Sequence, residues 1–282
     1  MPPEGSRTAR QSASRDVASY VISSLLVAAL VIAPRMPNLV PAWLMMLICA
    51  LLALCGYIVQ GVTLSGAVAG FAVALSIYDT FGFSLFVALI ATFILTSVAT
   101  RAGRSRKERL AISESRHGRD GMQVLANVGL AAATAIASTI VADKSSGLFL
   151  TAALAVLAAA AADTTSSEIG KAFGGTPRLI TDWRRVAVGE SGGITLLGSL
   201  AGVGAAIIVV AAAPFWILPN FNWMLPAVAA ACVGAIAGMF FDSLLGATLE
   251  TRWLNNDAVN FLSTCFAAAV ADGLLWVANH LH

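Results

Sequence analysis

The residues best suited to chemistry lie between residues 158 and 193, where a polar stretch joins two long apolar segments. Asp163 and Ser167 are spaced i, i+4 in this stretch. Thr164 and Glu168 repeat the spacing, so a continuing helix would place each pair on one face. Mg²⁺ takes one or two carboxylates and completes its shell with water and phosphate oxygens. We therefore predict that Asp163 and Glu168 are catalytic metal ligands. Thr164 and Ser167 would offer hydroxyl groups to phosphate. The alternative is that these acids only mark a helix end and pair with nearby arginines.

A glycine-rich loop, GESGG at residues 189–193, leads into the next apolar segment. Glycines let backbone N–H groups turn towards a ligand, and a helix N-terminus adds unpaired donors, so the loop has the form of a phosphate cradle. Arg178 and Thr181 are near enough in sequence to add donors to the same anion. The residues predicted to bind phosphate here are Gly189, Ser191, Gly192 and Gly193. The alternative is a tight turn before a helix.

Two other apolar segments carry polar residues near one end. Gln123 and Asn127 form a stripe of amides, which at that depth usually face a cavity or another helix. We predict that they orient phosphates or a base, with a structural interhelical hydrogen bond as the alternative. Asp242 follows a later apolar run, and we predict it to be a further catalytic and metal-binding carboxylate. Asn260 is a weaker companion in the last apolar segment.

A basic run near residues 101–119 precedes the segment that carries Gln123. Such a run is usually a solvated face that touches anionic lipid headgroups. For Arg101 and Lys107 a second interpretation has equal weight, which is that they bind a lipid phosphate or a nucleotide. Asp272, within the last apolar segment, receives no assignment.

The elements that must position these residues are membrane-spanning helices. Mean hydropathy is +0.83, with 58% hydrophobic and only 11% charged residues, which excludes an ordinary soluble domain. The alternation of an outer-membrane barrel is missing. We predict an all-α, polytopic bundle of about nine spans in a single domain, residues 17–282, after a disordered polar tail, residues 1–16. The predicted spans are 17–33, 39–59, 64–78, 81–99, 121–142, 148–162, 194–213, 224–241 and 258–278.

The distribution of basic residues predicts the orientation. With nine spans and a cytoplasmic N-terminus, all of the 17 Lys and Arg except Arg35 and Lys144 lie on the inner side. This agrees with the positive-inside rule. The predicted cytoplasmic loops are near residues 100–120, 163–193 and 242–257, so the candidate residues would form one site facing the cytoplasm from the cell (inner) membrane.

The motifs that carry these residues resemble those of a widespread integral-membrane family, which includes the plant phytyl-phosphate kinase and the animal transmembrane protein 19. The matching motifs are QVLANVG at 123–129, ADTTSSEIG at 162–170, PRLIT at 177–181, VAVGESGGITLLG at 186–198, FDSLLGATLE at 241–250 and NFLSTCF at 260–266. The resemblance covers roughly residue 56 to the C-terminus, and the combination of motifs is specific.

The resemblance implies an enzyme that transfers a phosphoryl group from a nucleoside triphosphate, with CTP favoured, to an isoprenoid monophosphate. Mg²⁺ would be the cofactor, and the partners would be nucleotide, isoprenoid phosphate and membrane lipid, with no nucleic acid and a possible homo-oligomer. Phosphoryl transfer requires mainly positioning and charge neutralisation, which these residues supply without a dedicated nucleophile. The alternative is a transporter or channel for an anion or lipid headgroup, which predicts polar residues continuing to the outer face and an internal repeat.

Overall fold

The computed structural model describes residues 16, 19–23, 41–110, 118–141, 147–213, 221–250 and 253–280. Nearly all of the predicted tail (1–16) and most of the first predicted span (17–33) lie outside these residues. The described elements are helices α1 (Ala42–Ile58), α2 (Leu64–Arg101), α3 (Arg104–Arg109), α4 (Gly121–Ile140) and α5 (Leu148–Phe173), strands β1 (Arg178–Leu179) and β2 (Gly193–Ile194), and helices α6 (Leu196–Ala212), α7 (Phe221–Leu245, continued by a π-helix, Gly246–Glu250) and α8 (Asn256–His280). The all-α class is thus confirmed, with one two-residue strand pair.

Five of the described helices are long and apolar enough to cross a membrane, namely α2, α4, α5, α7 and α8. Helices α1 and α6 are equally apolar but only 17 residues long. The second predicted span and the fifth to ninth each coincide with one described helix. This architecture is that of an integral membrane helical bundle.

Helix α2 contains the third and fourth predicted spans, folded against each other at Gly82. This glycine has φ 71° and ψ −157°, a conformation that is strained for other residues. The rings of Tyr78 and Phe86, on either side of it, meet edge to face at 5.9 Å. At the far end, Arg101 Nη2 donates to the carbonyl of Val59, which precedes the helix. A straight helix of 38 residues would span roughly 57 Å, which would place Arg101 far from Val59. Because the two residues are in contact, the two halves of α2 run antiparallel.

Helix α5 lies at the centre of the bundle, in contact with α2, α4, α6, α7 and α8. Every residue from 151 to 162 is buried, and most are alanine, whose small side chain lets neighbouring backbones approach closely. A Cβ added at Gly202 of α6 would lie 2.7 Å from the carbonyl oxygen of Ala162. The helix continues to Phe173, beyond residue 162 where the predicted span ends, so the rigid core itself carries the acidic segment.

The three predicted polar loops meet at one end of this bundle. Lys107 of α3 contacts Glu168 of α5, which joins the basic run to the acidic segment. The glycine loop packs on the π-helix, since a Cβ at Gly192 would lie 2.4 Å from that of Ala247. Residues of α3, α5, the glycine loop and the end of α7 therefore meet in one region.

Candidate functional site

A cavity of about 170 Å³ occupies this end of the bundle. Its walls are polar and come from the ends of α4 and α5, the glycine loop, the end of α7 and the start of α8. The predicted site residues that line it are Gln123, Asn127, Asp163, Thr164, Ser167, Glu168, Gly189, Ser191, Gly192, Gly193, Asp242 and Asn260. Residues that are far apart in the sequence thus share one cavity.

Two carboxyl groups on different helices meet at the base of this cavity. Asp242 of α7 lies within hydrogen-bonding reach of Asp163 of α5 and of Ser263 of α8. Glu250 is close enough for its negative charge to repel that of Asp242. Its Oδ2 atom is buried and has no hydrogen-bond partner among the described residues. An unpartnered buried carboxylate oxygen beside a second acid is unfavourable unless a cation or a proton compensates it. One turn later α7 becomes a π-helix at Gly246, a distortion that is frequent at functional sites.

The pair Asp163 and Asp242 fits a magnesium ion. Among the described residues, no three His, Cys, Asp or Glu side chains form a group that could hold a metal by themselves. Mg²⁺ does not need such a cage, because one or two carboxylates suffice when water and phosphate oxygens fill the other positions. The unpartnered oxygen of Asp242 supplies the free ligand that this arrangement needs.

Glu168, predicted as a third metal ligand, is ion-paired in the structure. Its Oε2 lies 2.5 Å from Lys107 Nζ, and its Oε1 lies 3.3 Å from Lys171 Nζ. Both Glu168 and Lys107 are almost fully buried. The lysine also donates to the carbonyl oxygen of Thr100 at 2.7 Å. Each carboxylate oxygen of Glu168 therefore contacts a lysine. Glu168 lines the cavity and also holds the basic segment against α5.

The glycine loop is both a tight turn and a wall of the cavity. Gly189 and Gly192 have φ of 92° and 77°, values that favour glycine. The N–H of Gly193 donates to the carbonyl of Glu190 at 3.0 Å, and the Glu190 side chain accepts from the N–H of Ala187 at 3.4 Å. The loop overlaps strand β2 at Gly193, and Ile194 and Thr195 lie between the loop and α6, so the loop does not lead directly into that helix as the sequence suggested. Thr195 caps the helix instead.

Four of the predicted residues lie outside this cavity. Arg178 is exposed and donates to the carbonyl of Trp183 at 2.9 Å, and Thr181 occupies the exposed turn next to it. Arg101 and Lys107 line a second, larger cavity of about 390 Å³ between α1, α2 and α4. Arg101 and Lys107 thus lie outside the cavity that Asp163 and Asp242 line.

The amide stripe on α4 begins with a cap. The Asp120 side chain accepts from the N–H of Gln123, and the Gln123 side chain accepts from the N–H of Asp120, both at 2.9 Å. This reciprocal capping box satisfies two donors at the start of the helix. Asn127 is buried and donates to the carbonyl of Gln123 at 2.8 Å. These bonds lie within one helix, so none of them is the interhelical hydrogen bond that was the alternative to a role in phosphate or base binding.

Arg119 is a further residue of the site, one that was not predicted from the sequence. Its Nη2 atom donates to Thr164 Oγ1 at 3.3 Å, and its side chain lines both cavities. Arg119 lies just before the N-cap Asp120, outside helix α4, so the helical spacing of the amides could not identify it. Lys171, Thr195 and Asn256 also line the first cavity without having been predicted.

Fold and site together define a helical membrane protein with an acidic, glycine-walled cavity at one end of its bundle. The chain belongs to the integral membrane protein family DUF92, whose profile matches residues 47–268. This family is the one that the sequence motifs resemble, and it includes the plant phytyl-phosphate kinase. The resemblance is therefore confirmed.

The chain is similar to individual proteins of a plant and of an archaeon. Over 225 residues the chain is 30% identical to protein VTE6, chloroplastic, of Arabidopsis thaliana, a match that covers 76% of this chain and 65% of VTE6. It is 31% identical over 225 residues to protein PGR of Arabidopsis thaliana, covering 72% of this chain and 77% of PGR. An uncharacterised membrane protein of Methanocaldococcus jannaschii is 35% identical over 188 residues, with 65% and 73% covered. No solved structure matches the chain.

Proposed function

We propose that this chain is a Mg²⁺-dependent membrane kinase. It transfers a phosphoryl group from a nucleoside triphosphate, with CTP favoured, to an isoprenoid monophosphate such as phytyl or another prenyl phosphate, and yields the diphosphate. The observation that carries the proposal is the meeting of Asp163 and Asp242, from separate helices, in a cavity walled by a glycine loop. Membership of a family that includes the plant phytyl-phosphate kinase supports the reaction class.

Each wall of the cavity has a role in this proposal. Asp163 and Asp242 hold Mg²⁺, which when bound neutralises charge that develops on the phosphates. The loop at 189–193 presents backbone groups to the nucleotide phosphates, and Arg119 and Lys171 add positive charge. The hydroxyls of the acidic segment and the amides of α4 and α8 orient the phosphates or the base. The residues that supply them are Thr164, Ser167, Gln123, Asn127 and Asn260.

In this proposal the site faces the cytoplasm from the cell (inner) membrane, in a chain of nine spans with a cytoplasmic N-terminus. The support is the distribution of charge, since all Lys and Arg except Arg35 and Lys144 fall on one side. The end of the bundle that holds the cavity also holds Arg101, Lys107 and Arg119. Nucleoside triphosphates are supplied on that side of the membrane.

A transport pathway through the same stripe would need polar groups beyond the cavity. Within the described helices, α5 presents a buried run from residue 152 to residue 162 that consists of alanine, leucine and valine. This run is packed on all sides by neighbouring helices. The packing favours a site at the end of the bundle over a pathway through it.

The experiment is a transfer assay on purified full-length protein with Mg²⁺, γ-labelled CTP and phytyl monophosphate. Asp242→Asn should lower the rate at least about 100-fold, the scale of losing one group that stabilises transition-state charge. Asp272→Asn is the matched control, because Asp272 also has a buried, unpartnered oxygen but lies on α8 outside the cavity. It should retain the wild-type rate.

Two results would contradict the proposal. One is an Asp242→Asn variant with the wild-type rate. The other is a wild-type protein that transfers no phosphoryl group from CTP, ATP, GTP or UTP to phytyl or geranylgeranyl monophosphate. Anion or lipid flux in proteoliposomes without nucleotide would then favour transport.

A further inference from the structure

The second cavity, of about 390 Å³, lies between α1, both halves of α2 and α4. Its size falls within the range of roughly 300–1,000 Å³ that is usual for small-molecule sites. Most of its wall is apolar, formed by residues such as Leu52, Phe71, Val73, Leu89 and Phe93. Such a wall can hold a hydrocarbon chain but offers little to a nucleotide.

One end of this cavity is strongly basic. Arg101, Arg104, Lys107 and Arg119 all contribute to the lining, and no Asp or Glu does so among the described residues. Lys107 is neutralised by Glu168, and Arg104 is paired with Glu108 at 3.1 Å. Within the part of the chain that the structure describes, Arg101 donates to two backbone carbonyls, and Arg119 donates to a neutral hydroxyl. Their positive charge is available to an anion.

The basic end adjoins the acidic cavity. Arg119 and Asn127 line both cavities, so a group bound at Arg119 lies at the border between them. The ion pair between Lys107, on the wall of the second cavity, and Glu168, on the wall of the first, fixes the two walls together. An anion at the basic end is therefore next to the cavity that holds Asp163 and Asp242.

We infer that the second cavity binds the lipid acceptor, a single-chain isoprenoid monophosphate, with its phosphate at Arg101 and Arg119 and its tail among the apolar residues of α1 and α2. This assignment rests on the proposed kinase function and names the place of its acceptor. Charge complementarity supports it, because an amphipathic anion matches a cavity with a basic end and an apolar body. A volume of about 390 Å³ favours a lipid with one hydrocarbon chain over a phospholipid with two.

In the reaction that follows, an oxygen of the lipid phosphate attacks the γ-phosphorus of the nucleotide. The bond from the γ-phosphorus to the bridging oxygen breaks, and the nucleoside diphosphate leaves with that electron pair. The new oxygen–phosphorus bond makes the lipid diphosphate. When the acceptor is the dianion, charge balances without net release of a proton.

Gly70 allows the assignment to be tested without disturbing the fold. It lines the second cavity, and a Cβ built on it meets nothing within 4 Å. Leucine at this position would project into the cavity, and it is also a better helix former than glycine. Gly204 of α6 is the matched control, since its Cβ also meets nothing and it lines neither cavity.

The experiment measures binding of labelled phytyl monophosphate to the full-length protein in detergent, without nucleotide. Gly70→Leu should weaken binding at least tenfold, whereas Gly204→Leu should bind like the wild type. Binding of CTP with Mg²⁺ should be unchanged in both variants, which also shows that they are folded. Arg101→Gln should weaken binding of the monophosphate but not of free phytol.

The assignment is overturned if Gly70→Leu and wild type bind phytyl monophosphate equally, if the wild type does not bind it, or if phosphatidic acid competes as well as phytyl monophosphate itself. Failure of the kinase proposal gives a different result. In that case the wild type and Gly204→Leu bind the lipid and Gly70→Leu does not, yet no variant transfers phosphate. Conversely, if Gly70→Leu binds phytyl monophosphate as the wild type does and still transfers phosphate, the cavity assignment is wrong and the kinase proposal stands.

Discussion

The two cavities at the end of this bundle differ in both size and charge. The smaller is lined by five acidic side chains and two basic ones, with a glycine loop as one wall. The larger is lined by four basic side chains and is otherwise mainly apolar. Arg119, just before α4, and Asn127 of α4 line both cavities, and the ion pair between α3 and α5 joins their walls. The difference agrees with the two proposals, in which the smaller cavity binds a cation and nucleotide phosphates and the larger cavity binds an amphipathic anion.

The ion pair between the cavities should give the largest effect on stability. Removing one partner of a buried pair typically costs about 3–5 kcal/mol. For Lys107→Met we expect about 3 kcal/mol, because Lys171 still compensates Glu168. The midpoint of thermal unfolding in detergent measures this loss. The double variant Lys107→Met/Glu168→Leu should recover much of it, since no uncompensated buried charge remains. An unchanged midpoint in the single variant would show that the pair does not fasten α3 to α5.

The contact between the glycine loop and the π-helix should give the next largest effect. Gly192→Ala places a Cβ 2.4 Å from that of Ala247, which must push the loop away from the acidic cavity. We expect about a tenfold loss of kcat/KM in the transfer assay. Gly175→Ala is the matched control, because φ there is 76° but a Cβ meets open space. Both variants carry the same backbone strain, so an equal loss in the two would contradict a specific role for the loop position.

The cap on α4, the wall that both cavities share, should give the smallest effect. Asp120→Ala removes the capping box and should lower stability by about 1 kcal/mol. Asp120→Asn should be nearly neutral, because asparagine is an equally good N-cap. Thermal unfolding of the two variants checks this. A loss in Asp120→Asn as large as in Asp120→Ala would mean that the charge, and not the cap, is what matters.

The sequence predicted the parts that depend on local spacing. The i, i+4 spacing of acids and hydroxyls next to an apolar run indicated which of them would share a face if the helix continued past residue 162, and α5 does continue, to Phe173. The distribution of basic residues predicted that the three polar loops lie on the same side of the membrane. In the structure the ends of α5, α7 and α8 surround one cavity. These predictions succeed because helical periodicity and the cost of burying charge act over short distances along the chain.

The parts that the sequence did not predict depend on contacts between distant residues. Glu168 pairs with Lys107, which lies 61 positions earlier, and no local pattern identifies that partner. The chain within α2 turns at Gly82 and not at residues 79–80, where the sequence placed the break between two spans, because it is the backbone conformation of Gly82 that departs from the helix. The second cavity exists only because three helices leave a gap beside Gly70.

The central claim is that Asp163 and Asp242 together hold one divalent cation. The most direct measurement is binding of Mn²⁺, as a stand-in for Mg²⁺, to the purified full-length protein by electron paramagnetic resonance. We predict one site per chain that is lost in both Asp163→Asn and Asp242→Asn and retained in Asp272→Asn. Wild-type binding of Mn²⁺ by either of the first two variants would contradict the account.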